Sequence, residues 1–361
     1  IFKETQLGQT RKKMLKPPPL VHSSRKRSIS TTVDSASSVG GGAPADASDK
    51  MRIIPLGGGQ EVGRSCILVE YRGRTVMLDC GLHTQKRGEE ALPFLDLAPD
   101  LEKVDLLLVT HFHMDHVAGL PRLTEHTTFK GRIFMTHPTK AVMRMLLLDF
   151  VRKHQQKHAE DVLYTEQDLE NCLAKCEVID THQTVEHNGI RFRAYTAGHV
   201  LGACMFMVEI DGVNVLYTGD YSIHSDRHLM GAETPNLSPD VLIVESTFGT
   251  AEMPPASERE TRFTSAVEDI VSKQHGCCLL PVFALGRAQE LLLILDEFWQ
   301  ANPHLHQVPV YYANGMSAKA LRVYETYVNM MNRSLRSKQL GLPFRFKHIE
   351  QLDDDGRGGG G

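Results

Sequence analysis

The chain has 361 residues, 41% of them apolar and 23% charged, with a formal net charge of −4. That length allows about two domains with a sizeable core, and the composition excludes a wholly disordered chain. The acidic balance excludes nucleic-acid binding by overall charge alone, and no apolar stretch approaches the ~18 residues of a membrane span.

The first 33 residues depart from the average: they carry eight Lys/Arg and one Glu, which leaves −11 on the remainder. Residues 1–50 hold Pro17-Pro18-Pro19, a Ser/Thr-rich run and Gly40-Gly41-Gly42, and they show no apolar periodicity. They read as a disordered basic arm. Arg25-Lys26-Arg27 is either a nuclear-localisation element or part of a solvated tail, with a transit peptide the weaker option. The chain opens on Ile1, so its start is expected to be incomplete.

From Met51 the texture changes, and residues 51–249 read as a first domain. Short β-type runs follow one another at Ile53–Leu56, Cys66–Glu70, Thr75–Leu78, Val104–Val109, Arg132–Met135, Ile190–Tyr195, Cys204–Ile210, Val213–Tyr217 and Val241–Val244. A helix is predicted over Thr139–His154, with Val142, Met145, Leu146 and Phe150 on one face. Strands mixed with helices argue an α/β fold, with some strands close enough for hairpins. Residues 250–352 read as a second domain. It has helices at Ser257–Gln274, Gly286–Trp299 and Ala318–Met331, a buried strand at Cys277–Phe283 and another strand at Val308–Tyr312. That alternation predicts a parallel sheet. Residues 353–361, acidic and then glycine-rich, cannot pack.

Seven cysteines without a Cys-x-x-Cys pair read as reduced thiols, not as a disulfide framework or a zinc site. Cys172 and Cys176 are four apart and are expected to share a helix face. Eighteen histidines direct attention to metals. The strongest signal is His111-Phe112-His113-Met114-Asp115-His116, directly after the apolar run Val104–Val109. Imidazole and carboxylate are good Zn²⁺ ligands. If the strand continues, alternation points His111 and His113 the same way, and Asp115 and His116 lie beyond the turn where they can face a second metal. His199, Asp220, Asp79 and Glu245 each follow another apolar run. Alone, Asp79 or Glu245 would read as a cap or turn residue. Repeated over several strands, the pattern suggests one polar edge that gathers metals.

HxHxDH with the later His and Asp resembles the ligand motifs of the metallo-β-lactamase superfamily, in order. Gly57–Cys66, Met77-Leu78-Asp79-Cys80-Gly81, Ala197–Ala203 and Glu245-Ser246-Thr247-Phe248-Gly249 are similar to its β-CASP branch, which processes nucleic acids. Pro281–Glu290 is similar to the RNA-cleaving members. Residues 51–352 resemble the endonuclease subunits of cleavage and polyadenylation specificity factors, and Phe346-Lys347-His348-Ile349 favours these over the Integrator-type RNA endonucleases.

The resemblance implies a metallo-β-lactamase αβ/βα sandwich with a partial β-CASP α/β domain. It implies two Zn²⁺ ions, with His111, His113 and His199 on one, Asp115 and His116 on the other, and Asp220 bridging both. Asp79 would orient these ligands by hydrogen bonds. Glu245 would pair with a histidine that protonates the leaving oxygen. The implied reaction is hydrolysis of RNA phosphodiesters in pre-mRNA 3′-end cleavage, in the nucleus. The metals would activate water and neutralise transition-state charge, and other subunits of the cleavage and polyadenylation complex would choose where to cut.

The family's last zinc histidine and the partner of Glu245 find no match here: His304, His306 and His348 lack the motif context and read as surface or helix-end residues. The second site is therefore expected to be one ligand short, and the chain alone a poor nuclease. A non-catalytic scaffold stays open on that ground. A small-molecule hydrolase shares the metal motifs but not the segment after Glu245. Arg287 is read either as an RNA-phosphate contact or as an internal ion pair. Gly57-Gly58-Gly59 is read as a tight turn in preference to a phosphate cradle, His137, His182 and His187 as surface residues, and His228 as a packing or ligand-orienting residue.

Overall fold

A computed structural model describes residues 31–33, 50–157, 161–312, 315–333, 335 and 344–352. The first domain is two facing sheets. The larger takes its strands in chain order: β1 (Thr31–Val33), β2 (Met51–Gly57), β3 (Cys66–Tyr71), β4 (Arg74–Leu78), β5 (Leu106–Leu108), β6 (Arg132–Met135) and β7 (Cys176–Val178). Pairing is antiparallel up to β4 and parallel from β4 to β7. The switch has a local cause. Short loops, of eight and two residues, join β2 through β4, whereas long crossovers separate the later strands, those after β5 and β6 carrying α1 (Met114–Val117), α2 (Leu120–His126), α3 (His137–Lys157) and α4 (Glu166–Lys175). The smaller sheet holds β8 (Thr184–His187), β9 (Ile190–Thr196), β10 (Cys204–Ile210), β11 (Val213–Tyr217) and β12 (Val241–Ile243), in the order β12-β11-β10-β9-β8.

Alternation sorts the side chains into layers. Val76, Leu78, Leu106, Leu108 and Phe134 of the large sheet meet Phe192, Phe206, Val208 and Val215 of the small one between the sheets. The opposite face of the large sheet, with Leu68, Met77, Leu107 and Ile133, packs on Leu120, Leu123, Met143, Leu147 and Leu169 of the helices. Leu106, Leu107 and Leu108 are fully buried on both sides, which is why this strand is apolar throughout, at ~2 kcal/mol of burial each. Among the described residues no helix is long and apolar enough to cross a membrane.

The second domain contributes α5 (Ala256–Glu268), extended by a wider turn to Lys273, then α6 (Arg287–Ala301), β13 (Val310–Tyr312), α7 (Gly315–Thr326) and β14 (Ile349–Gln351). β13 and β14 pair in parallel, so the parallel pairing holds, but the partner of β13 is Ile349–Gln351, which the sequence reading did not include. Leu285, Leu293, Ala320 and Tyr324 join Phe112, Leu201 and Met205 in one apolar cluster, so the two domains share a core.

Three expectations need correction. Cys277–Phe283 forms no strand: Cys278 and Leu280 pack inward, while Leu279 and Phe283 are 87% and 90% exposed, because no neighbouring strand pairs with it among the described residues. Within the supposedly unstructured arm, Thr31–Val33 pairs with Met51–Ile53 as an edge strand; the rest of residues 1–49, and residues 353–361, lie outside the described residues. Cys176 does not share a helix face with Cys172, because α4 ends at Lys175 and Cys176 opens β7, with its thiol against the Cys172 carbonyl at 3.3 Å. Among the described cysteines none forms a disulfide, and five are buried.

Candidate metal centre

The site lies where β4, β5, β9 and β11 end. Each strand ends within three residues of a ligand-type side chain, so its buried residues anchor the edge while the next ones leave the core. Two of these exits are sharp. Asp79 and His199 both take φ +58°, a left-handed conformation that costs a non-glycine residue ~1 kcal/mol and turns its side chain toward the common centre. Gly219 (φ +53°) makes the third bend, and a Cβ there would lie 2.6 Å from that of Thr110.

His111 Nε2 and His113 Nδ1 are 3.0 Å apart, and His199 Nε2 lies 3.1 Å from His113 Nδ1. Asp220 Oδ2 is 3.8 Å from His111 Nε2 and 3.6 Å from His199 Nε2. All four ligand atoms fall within 4.8 Å of one another. A tetrahedral ion with ligands at ~2.0–2.1 Å sets its donors ~3.3 Å apart, so the three nitrogens and one oxygen fit such an ion. Burial, then the neighbouring imidazoles, hold His111 well below the usual histidine range, and burial pushes His199 down to about 4. The imidazoles are therefore neutral donors with lone pairs free. The positive neighbours, led by the His116 contact, outweigh burial at Asp220 and bring it to about 2, which keeps it a carboxylate.

His116 forms a second group with the other oxygen of Asp220. Its Nε2 is 3.4 Å from Asp220 Oδ1 and 3.8 Å from Asp115 Oδ2. Its Nδ1 lies 2.7 Å from Asp79 Oδ2. Burial alone would lower His116, but the Asp79 and Asp220 carboxylates prevail and raise it well above the ordinary value, so a metal at Nε2 displaces a proton.

Asp79 organises both groups from beneath. It is fully buried and accepts from Thr110 N (2.7 Å), Thr110 Oγ1 (2.8 Å), Tyr217 Oη (2.8 Å) and His116 Nδ1. Because the Thr110 hydroxyl gives its proton to Asp79, it receives the Nδ1–H of His111 at 3.0 Å. That fixes the tautomer and leaves His111 Nε2 free for a metal. Thr110 and Tyr217 escaped the sequence reading: a threonine and a tyrosine at strand ends are ordinary β residues, and only the three-dimensional partner marks them.

The remaining candidates separate from this centre. Glu245 accepts from Thr247 N at 3.1 Å, and among the described residues no histidine pairs with it. Arg287 forms an ion pair with Asp226, which favours the internal reading, yet it is 62% exposed and its charge reaches His199. His228 is buried away from the metal group and meets Glu290 Oε2 at 2.8 Å, so it packs between the domains. His137 is exposed, His182 pairs with Glu233, and His187 stands near Arg132. His304 pairs with Glu268, while His306 and His348 stack on each other at 4.5 Å.

Comparison with known proteins agrees with this geometry. The family description "Metallo-beta-lactamase superfamily" matches residues 59–265, and "Beta-Casp domain" matches residues 288–356. "Cleavage and polyadenylation specificity factor subunit 3" of Dictyostelium discoideum is 54% identical over 306 residues, covering 84% of this chain and 39% of that one. "Cleavage and polyadenylation specificity factor 73" of Drosophila melanogaster is 53% identical over 311 residues, 86% and 45% of the two chains. "Endoribonuclease YSH1" of Yarrowia lipolytica is 51% identical over 310 residues, 85% and 37% of the two. The chain thus spans less than half the length of each of these relatives.

Proposed function

Because the chain belongs to the metallo-β-lactamase superfamily and carries a β-CASP match, we propose that it is a zinc-dependent endoribonuclease that hydrolyses RNA phosphodiesters in pre-mRNA 3′-end cleavage. The observation that carries this reading is the convergence of His111, His113, His199 and Asp220 within 4.8 Å, with His116 on the other oxygen of Asp220. His111, His113 and His199 would hold one zinc, Asp115 and His116 a second, and Asp220 would face both. When bound, a zinc pair supplies Lewis-acid charge for the phosphoryl oxygens and a water of lowered pKa.

The chain's own side chains do the rest. Asp79, through Thr110 and His116, keeps the imidazoles in the ligating tautomer. Asp220, anionic at neutral pH, balances the positive charge between the two groups. Glu245, just beyond β12, would serve the leaving-oxygen side only with a partner histidine, which none of the described residues supplies. Arg287, exposed on one side of its Asp226 pair, is assigned to an RNA phosphate. Two of the relatives are named as cleavage and polyadenylation specificity factors and one as an endoribonuclease. Their names support a nuclear setting and partner subunits of a cleavage and polyadenylation complex.

The test is zinc content per chain by elemental analysis, together with cleavage of a single-stranded RNA by the zinc-loaded chain. Bound zinc, lost in His113→Ala, is expected, with little RNA cutting by this chain because its second site is one ligand short. A folded chain that takes up no zinc overturns the proposal in favour of a scaffold.

A further inference from the structure

The Gly57-Gly58-Gly59 turn is shaped by what lies under it. A Cβ on Gly57 would stand 2.0 Å from Arg64 O, and one on Gly58 (φ +73°) would stand 3.2 Å from Ser65 Cα and Oγ. The turn therefore rests on Arg64-Ser65, which the tight-turn reading requires. Arg64 is itself fixed. It forks onto Glu61, reaches the Glu90 and Leu92 carbonyls, and lies 4.1 Å over the Phe94 ring. Ser65 is tied to the metal centre through its backbone: its N–H donates to Asp115 O at 2.8 Å, and its carbonyl accepts from Gly81 N at 3.1 Å.

This leaves the Ser65 hydroxyl 3.5 Å from His116 Nε2. That nitrogen is the one turned toward Asp115 and Asp220, because Asp79 holds the other. At 3.5 Å the contact is at the weak limit for a hydrogen bond. The imidazole needs no second orienting group, since Asp79 already holds it at 2.7 Å. A rigidly mounted O–H thus stands beside the His116–Asp115–Asp220 group with its donor capacity barely used.

We propose that Ser65 touches the substrate: its hydroxyl donates a hydrogen bond to a non-bridging oxygen of the phosphodiester seated at the metal centre. The proposal rests on the metal-centre reading above. A neutral donor suits this place. It recognises an anion without adding positive charge beside the metal ligands, and its fixed backbone means that little entropy is lost on binding.

The test uses the whole chain loaded with zinc, inorganic phosphate as the anion probe in calorimetric titration, and zinc per chain by elemental analysis. Ser65→Ala should hold as much zinc as the unchanged chain and bind phosphate about tenfold more weakly. Ser65→Thr, which keeps the hydroxyl, should stay within about threefold of the unchanged chain. Ser65→Val against Ser65→Thr makes the same comparison at constant shape if the alanine chain does not fold. Undiminished phosphate binding by Ser65→Ala overturns the proposal. So does a loss of phosphate binding that merely follows lost zinc, or a zinc-loaded unchanged chain that binds no phosphate; each leaves the metal-centre reading standing. An unchanged chain that takes up no zinc overturns both.

Discussion

Replacing Asp79 by Asn tests whether one buried carboxylate organises both ligand groups. In the native chain four donors converge on its two oxygens, three of them on Oδ2. An amide can keep its carbonyl where Oδ2 stands and retain Thr110 Oγ1, Tyr217 Oη and His116 Nδ1. Its NH2 then confronts Thr110 N across the 2.7 Å that now separates N–H from Oδ1. That stranded donor pair costs about 1.5–3 kcal/mol. The other three bonds lose the charge assistance that roughly doubles their strength, at about 0.5 kcal/mol each. The sum is about 3–5 kcal/mol, or roughly 6–20 °C in the melting temperature of a domain of this size. Zinc affinity should fall about 10–100-fold, because the His111 tautomer and the His116 orientation are both set through Asp79. Calorimetric melting in chelator gives the first quantity, and competition with a chromophoric zinc chelator gives the second. An Asp79→Asn chain that melts within 2 °C of the unchanged chain, with zinc affinity intact, would refute the reasoning.

Tyr217→Phe removes a single donor from the same carboxylate and should cost about 1–2 kcal/mol, with zinc affinity falling by less than in Asp79→Asn. Gly219→Ala places a Cβ 2.6 Å from that of Thr110 at φ +53°; it should cost more than ~2 kcal/mol in thermal unfolding and weaken zinc binding through the displaced Thr110. Glu290 is partly buried, yet the His228 and Arg227 contacts outweigh that burial and lower its pKa. Its stabilising contribution is complete above the ordinary glutamate range and is lost as pH falls through the lowered value. Acid titration followed by fluorescence of the single Trp299, on the same helix, should show loosening on that limb, and Glu290→Gln should flatten it. Arg287→Ala should weaken RNA binding uniformly across sequences and reduce its salt slope by about one, as read by titration at several ionic strengths.

The candidate ligand residues were legible because chemistry concentrates them. His111, His113, Asp115 and His116 share six positions behind a fully apolar strand, and His199 and Asp220 each lie just past the end of another strand. What supports them was not. Thr110 and Tyr217 act through a partner 31 and 138 positions away, and periodicity cannot see such a pair. The strands Cys176–Val178 and Thr184–His187 also escaped notice: both are short, lie at sheet edges and carry polar residues, so their apolar alternation is faint. Cys277–Phe283 erred in the opposite direction. Its apolar run has the composition of a buried strand, but composition does not supply a neighbour, and one of its faces stays in water.

The four strand ends that build the metal centre come from both sheets, with His199 86 positions beyond His113. No fragment of the sandwich can therefore assemble the three-histidine group by local folding. A metal ion finds that full donor set only in a chain whose sheets have already closed on each other. Bound ion then shifts the folding equilibrium toward the finished sandwich by mass action and leaves half-paired states to compete without it. Metal uptake at these residues would consequently follow closure of the two sheets.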